Sequence, residues 1–189
     1  MFAHFLAIIF KSVKLDNTLY KDNKNFDEAA IYFAIIIILL TAIISLIPGS
    51  VFLSFMGGTF GFSNVQGPSL RSVIISTIII WLIKTAYLYF LGVVIFPSKK
   101  TQCNYRKILV TVGYASAPLI FNIFIFDVRL LYFMFIPYIW YNISLIIGIN
   151  HILKFNNYFK STIIVLGPII FLFLFLFSQL FNNHSSIAS

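Results

Sequence analysis

Residues 29–47 read AAIYFAIIIILLTAIISLI, a run with no charged side chain. An apolar stretch of roughly 20 residues crosses the ~30 Å hydrocarbon layer of a bilayer as a helix. Helix is the required form, because backbone N–H and C=O groups in lipid must find partners within the segment. Four more runs of this kind follow, at about 72–96, 108–126, 130–153 and 161–181. The chain therefore reads as an all-α, polytopic transmembrane helical bundle with five spans at 29–181. Composition agrees: 60% of the 189 residues are hydrophobic and 10% are charged, against roughly 45–50% and about 25% in soluble domains. A globular core of this size cannot hide so much apolar surface. Disorder is excluded by the 23 Phe, since disordered chains are poor in aromatic residues.

The segments between the runs carry the punctuation. Residues 1–15 hold a short apolar run followed by Lys11 and Lys14. A cleaved signal has its positive charges first, so none is read here. Phe2, Phe5, Leu6, Ile9 and Val13 share one helical face, which predicts an amphipathic helix lying on the membrane surface. Residues 16–28 form a polar lead-in, and Asp27 and Glu28 suit the first turn of the helix that follows. Pro48-Gly49 is expected to end span one, and residues 49–70 to form a Gly- and Ser-rich loop. Pro97 opens a basic loop over 97–107, and Asp127 to Arg129 makes a tight polar turn. Residues 182–189 form an uncharged external tail.

The net charge of +8 would suggest nucleic acid in a soluble protein. Here the basic residues flank apolar runs, without the exposed interleaved aromatics that a nucleic-acid groove needs. They fix orientation instead. Lys11, Lys14, Lys21, Lys24, Lys99, Lys100, Arg106, Lys107, Lys154 and Lys160 fall on one side, and Arg71 and Arg129 on the other. That bias assigns the first side to the cytoplasm, with the N-terminus inside and the C-terminus outside.

One basic residue, Lys84, falls inside a span. A Lys at a helix centre costs ~2.5–3.5 kcal/mol on insertion scales. Helical rise puts it roughly 18 Å from the cytoplasmic end of its span, too deep for easy snorkelling. No acid within any span can pair with it. Thr41, Asn122, Tyr138, Tyr141 and Asn142 lie at a similar depth, and their oxygens can accept hydrogen bonds from the ammonium. Pro118 releases the carbonyl of Tyr114 from its helical bond, which adds another acceptor. A midplane polar cluster around Lys84 has two readings: a binding or relay site for an anion or lipid headgroup, or interhelical glue.

Gly113 and Ala117, four apart and followed by Pro118, let helices approach closely and favour a kink. His4, His151 and His184 are scattered, with no Cys or carboxylate at ligand spacing, so no metal site is read. The lone Cys103 cannot form an internal disulfide. Lys100 and Arg106 beside it can lower its pKa, but no His completes a nucleophile pair, and it reads as an inert thiol. Four of the five acids lie at 16–28, leaving no carboxylate pair for acid–base work in the membrane. No cofactor motif and no catalytic residue is identified, and the chain reads as a non-enzyme.

Tyr105, Arg106, Lys107 and Ile108, followed by Gly113, Tyr114, Ala115, Ser116, Ala117 and Pro118, resemble the central signature of the Yip-domain family. Trp140, Ile147, Gly148, Lys160, Ser161 and Thr162 extend the likeness over roughly residues 25–181. The resemblance implies a five-span bundle with its N-terminus in the cytoplasm. It makes Gly113, Tyr114, Ala117 and Pro118 the family-motif packing residues. Eukaryotic members interact with Rab GTPases and act in traffic between endoplasmic reticulum and Golgi. They carry an Asp-Leu-Tyr-Gly-Pro motif in a longer N-terminal segment. This chain has no such motif, so Rab binding is not carried over. Its short N-terminus and Ile/Asn/Lys bias resemble a prokaryotic member of a cytoplasmic (inner) membrane. The expected role is a scaffold or partner-binding protein in the lipid bilayer. Its loop residues Lys99, Lys100, Arg106 and Lys107, with the interfacial helix, would meet anionic lipid headgroups or a membrane or cytoplasmic protein partner. The same charges also serve topology with no ligand at all. The alternatives are a small transporter or lipid-handling protein built on the Lys84 cluster, and a subunit of a larger membrane complex.

The orientation has a direct check. A reporter fused after Ser189 is expected to be active outside the cytoplasm; cytoplasmic activity would overturn the five-span, N-inside arrangement.

Overall fold

The structure, a computed structural model, describes residues 2–60, 67–97, 103–155, 157–168 and 170. All its elements are helical. A short α1 (Phe2–Val13) leads through α2 (Thr18–Lys21) and one 3₁₀ turn (Asn23–Phe26) into the bundle. Four long helices follow. They are α3 (Ala30–Phe60), α4 (Leu70–Tyr89) with a π-helical extension Phe90–Ile95, α5 (Tyr105–Ala115) with a 3₁₀ extension Ala117–Phe124, and α6 (Phe135–Ile152), entered through a 3₁₀ segment Val128–Met134. Residues 158–168 form the helix α7. Four candidate spans, Ala30–Leu53, Leu70–Ile95, Tyr105–Phe124 and Val128–Ile152, are long and apolar enough to cross a membrane. Of the fifth run read from sequence, the described part is helical, and residues 171–181 lie outside the described residues.

Short polar side chains start α3, α4 and the 3₁₀ segment before α6 by satisfying their first N–H groups. Asp27 Oδ1 accepts from the Ala30 N–H at 3.1 Å, as its place before span one suggests. Ser69 Oγ accepts from Ser72 N–H at 3.2 Å, and Asp127 Oδ1 from Arg129 N–H at 2.8 Å. The expected stop at Pro48-Gly49 does not occur. α3 runs through Pro48 to Phe60, and the loop read at 49–70 is helical over its first half. Pro48 removes one N–H and strands the Ile44 carbonyl. Ending the helix inside an apolar layer would strand several groups rather than one, so membrane helices tolerate an internal proline. Val51, Phe52 and Leu53 also prolong the apolar surface of span one.

α5 is the centre of the bundle. Its residues Ile108 to Ala115 are all buried, and it packs against α3, α4 and α6. Trp81 of α4 donates its Nε1–H to the Leu109 carbonyl at 3.2 Å and ties α4 to this centre. The faces turned away from the core stay apolar, with Ile35, Ile36, Leu40 and Ile43 of α3 and Ile79, Ile80, Leu82 and Ile83 of α4 exposed. A helix apolar all round is what lipid on one side and core on the other require.

Gly113 sets the distance between α5 and α3. A Cβ built there would sit 2.5 Å from Ala34 Cβ, 3.0 Å from Ala34 Cα and 3.3 Å from the Ala34 carbonyl oxygen. Two of those atoms are backbone, so relief needs the helices to part. Gly113→Ala is expected to destabilise the protein by about 1–3 kcal/mol through overpacking. Ala34→Gly in the same chain should recover part of the loss. Thermal unfolding of the two single variants and the double variant in detergent checks this, and strictly additive losses would show that the two positions do not meet.

Candidate functional site

Pro118 cannot continue the α-helical ladder, and α5 passes into a 3₁₀ segment at Ala117. The freed acceptor, the Tyr114 carbonyl, is the hub of a buried polar site. It does not serve Lys84. Ser12, at the end of α1, donates its hydroxyl to it at 2.7 Å. Ser12 Oγ also lies 3.3 Å from Ser144 Oγ of α6, and Ser144 Oγ lies 2.9 Å from the hydroxyl of Tyr20 in α2. At its other end Tyr114 donates its phenolic O–H to the Asn25 carbonyl at 3.1 Å. Asn25 in turn donates its Nδ2–H to the Leu19 carbonyl at 2.8 Å. Ser12, Tyr20, Asn25, Tyr114 and Ser144 are all buried.

These contacts tie the N-terminal segment to the bundle. α1, expected as an amphipathic surface helix, packs on the bundle through Ile8 and Ser12, while Leu6 and Phe10 stay exposed. Rings reinforce the dock, with His4 and Phe5 each 5.7 Å from Phe33 and Phe26 at 6.4 Å from Tyr114. Tyr20 fits because of Gly148, where an added Cβ would lie 3.0 Å from the Tyr20 ring and 2.6 Å from Thr111 Cγ2. Burial pushes the Tyr20 phenol up to about 12, against hydrogen bonds from Ser144 and Ser12 that pull it down. Ser12 and Tyr20 were missed in the sequence. The only signal was a serine in line with the apolar Phe5 and Ile8 of the same helix.

The Lys84 cluster assembles in part. Lys84 Nζ sits over the Tyr141 ring, 4.3 Å from its centroid. Tyr138 and Tyr141 are in ring contact at 6.1 Å. Asn142 donates its Nδ2–H back to the Tyr138 carbonyl at 2.8 Å, and its Oδ1 is buried with no partner among the described residues. Thr41 turns its hydroxyl to the Ile38 carbonyl of its own helix at 2.9 Å. Asn122 Oδ1 is likewise buried and unpartnered among the described residues. The ammonium therefore meets a ring face where the sequence suggested oxygen acceptors. Such cation–π contacts are worth ~0.5–2 kcal/mol, most where water is excluded.

Of the basic-loop residues, Arg106 donates from Nη2 to the Asp27 carbonyl at 2.8 Å, pinning the start of α5 to the lead-in of α3. Lys107 lines a pocket beside Tyr20. Lys99 and Lys100 lie outside the described residues. Burial pushes the Cys103 thiol up to about 11, with Lys107 pulling the other way, so its basic neighbours do not activate it. Among the described residues no cluster of His, Cys, Asp and Glu can hold a metal ion.

Compared with known families, residues 16–180 match the Yip1 domain. Neither the curated proteins nor the solved structures contain a match to the chain.

Ser12→Ala removes the one side-chain donor that α1 gives to Tyr114. The stranded carbonyl predicts a loss of about 1–3 kcal/mol. The loss should be local to the dock. Hydrogen exchange in detergent micelles should show residues 2–25 losing protection while α4 keeps its own.

Proposed function

Because the chain belongs to the Yip1 domain family, we propose that it is a non-enzymatic scaffold or partner-binding protein of a cytoplasmic membrane. In this reading it crosses five times, with the N-terminus in the cytoplasm and the C-terminus outside. The observation that carries the reading is the family match over residues 16–180, most of the chain. The family is generally one of non-enzymatic trafficking proteins. The arrangement of the motif supports the same view. Gly113, Tyr114, Ala117 and Pro118 face helices and the N-terminal segment of the same chain. Such a motif serves the packing of the bundle.

A second reading, a small transporter or lipid-handling protein, draws support from Lys84. Its ammonium contacts Tyr141 with no carboxylate partner among the described residues, and the Asn142 and Asn122 oxygens are buried without partners there. An ionisable residue inside a membrane helix is a functional candidate by default.

One experiment separates the two. The protein purified in a mild detergent should bring down a stoichiometric protein partner, and Lys84→Leu should retain it. A lone chain that moves solute or lipid across vesicle membranes, and loses that flux in Lys84→Leu, would overturn the scaffold reading in favour of the second.

A further inference from the structure

We propose that the end of the bundle where α5 begins and α6 ends holds a binding site for a phosphate-bearing anion. A pocket of about 410 Å³ opens there, lined by Tyr20, Lys21, Phe26, Lys107, His151 and Lys154 among others. That volume falls in the ~300–1,000 Å³ range of small-ligand pockets. Three lysines from three different segments (α2, the first turn of α5, and the turn after α6) line it, and among the described residues no carboxylate belongs to its lining.

Topology and helix dipoles account for only part of this. His151 and Lys154 stand at the C-terminal end of α6, where positive charge is favoured. Lys107 stands in the first turn of α5, where the dipole disfavours it. Its neighbour Arg106 is occupied by the Asp27 carbonyl, whereas Lys107 lines the pocket. A second observation is independent of the lysines. His151 Nε2 is buried and has no hydrogen-bond partner among the described residues. A buried unpartnered polar atom is uncommon and calls for a ligand, ion or water. A phosphate oxygen would satisfy it and accept from Lys21 and Lys107, in the charge-assisted geometry that makes such bonds strong. The hydroxyl of Tyr20 is taken by Ser144, so its ring and that of Phe26 serve as walls. The ligand class follows from the donors: a dense, multiply acidic oxyanion, supplied by a phospholipid headgroup or by free phosphate. This goes beyond the scaffold reading and does not depend on it.

The test uses the full chain in maltoside micelles with two probes, inorganic phosphate and short-chain phosphatidic acid, measured by calorimetry. At least one probe should bind. Its affinity should fall at least about tenfold in the Lys21→Gln/Lys107→Gln double variant, the loss of charge-assisted contacts. The control double variant Lys14→Gln/Lys160→Gln removes the same charge outside the pocket and should bind as the parent does. Tighter binding of phosphatidic acid assigns the site to a lipid headgroup, and equal binding assigns it to the free anion. No binding of either probe, or equal losses in the two double variants, overturns the proposal. All four residues are partly or fully exposed, so neither double variant opens a cavity in the core.

Discussion

The hydrogen bond from Ser12 to the Tyr114 carbonyl holds the N-terminal segment on the bundle. It exists because of a proline. Pro118 takes the ladder donor away from a carbonyl in the middle of the central helix, in a region where an unpaired acceptor costs several kcal/mol. Such an acceptor must be served from elsewhere. A serine on a separate short helix serves it, and the contact ties α1 to the bundle. Once Ser12 is in place, Ser144 and Tyr20 close the network from α6 and α2. A local break in one helix thereby becomes a tertiary instruction for a segment 102 residues away.

Small residues make that instruction affordable in space. Gly113 lets α3 lie directly on α5, and Gly148 leaves room for the Tyr20 ring beside Thr111. Each replaces a side chain with a neighbour's backbone or ring. In lipid, where no hydrophobic force separates helix from solvent, close packing and polar contacts supply most of the association energy. The Gly113 to Pro118 motif combines both devices within one turn and a half: a close approach on one face and a released carbonyl on another. Its buried neighbours Val112, Ala115 and Ala117 leave no place for a bulky substituent.

How much of this was legible depended on range. The four long helices follow from apolar runs, because span length is a property of consecutive residues. The close approach at Gly113 was legible for the same reason, resting on local spacing, whereas Asp27, read into the first turn of the helix, stands before it as a cap. Pro48 misled, since the rule that proline ends a helix presumes water to take up the stranded groups. The released Tyr114 carbonyl was foreseen, but its donor was not: Lys84 and Ser12 were both within the chain's reach, and only packing chose between them. Tyr20 lay in a polar stretch with nothing to mark it as buried. The Lys84 partner was half legible. Tyr141 was among its expected neighbours, yet the contact uses the ring face rather than the hydroxyl.

Tyr141, Ser144 and Gly148 stand three and four residues apart on α6, so they share one helical face. Along that face α6 meets, in order, the Lys84 ammonium, the hydroxyls of Ser12 and Tyr20, and the ring of Tyr20. The Lys84–Tyr141 contact and the N-terminal dock are therefore not independent features. A turn of α6 by one residue, about 100°, would take the ring from beneath Lys84 and the hydroxyl from Ser12 together. It would also drive a side chain into the space that Gly148 keeps for Tyr20. Each contact is modest alone, at ~0.5–2 kcal/mol. Their common face gives α6 a single acceptable rotation. The cation–π contact suits that purpose: it holds a charge in register without a carboxylate, whose own desolvation would have cost as much again.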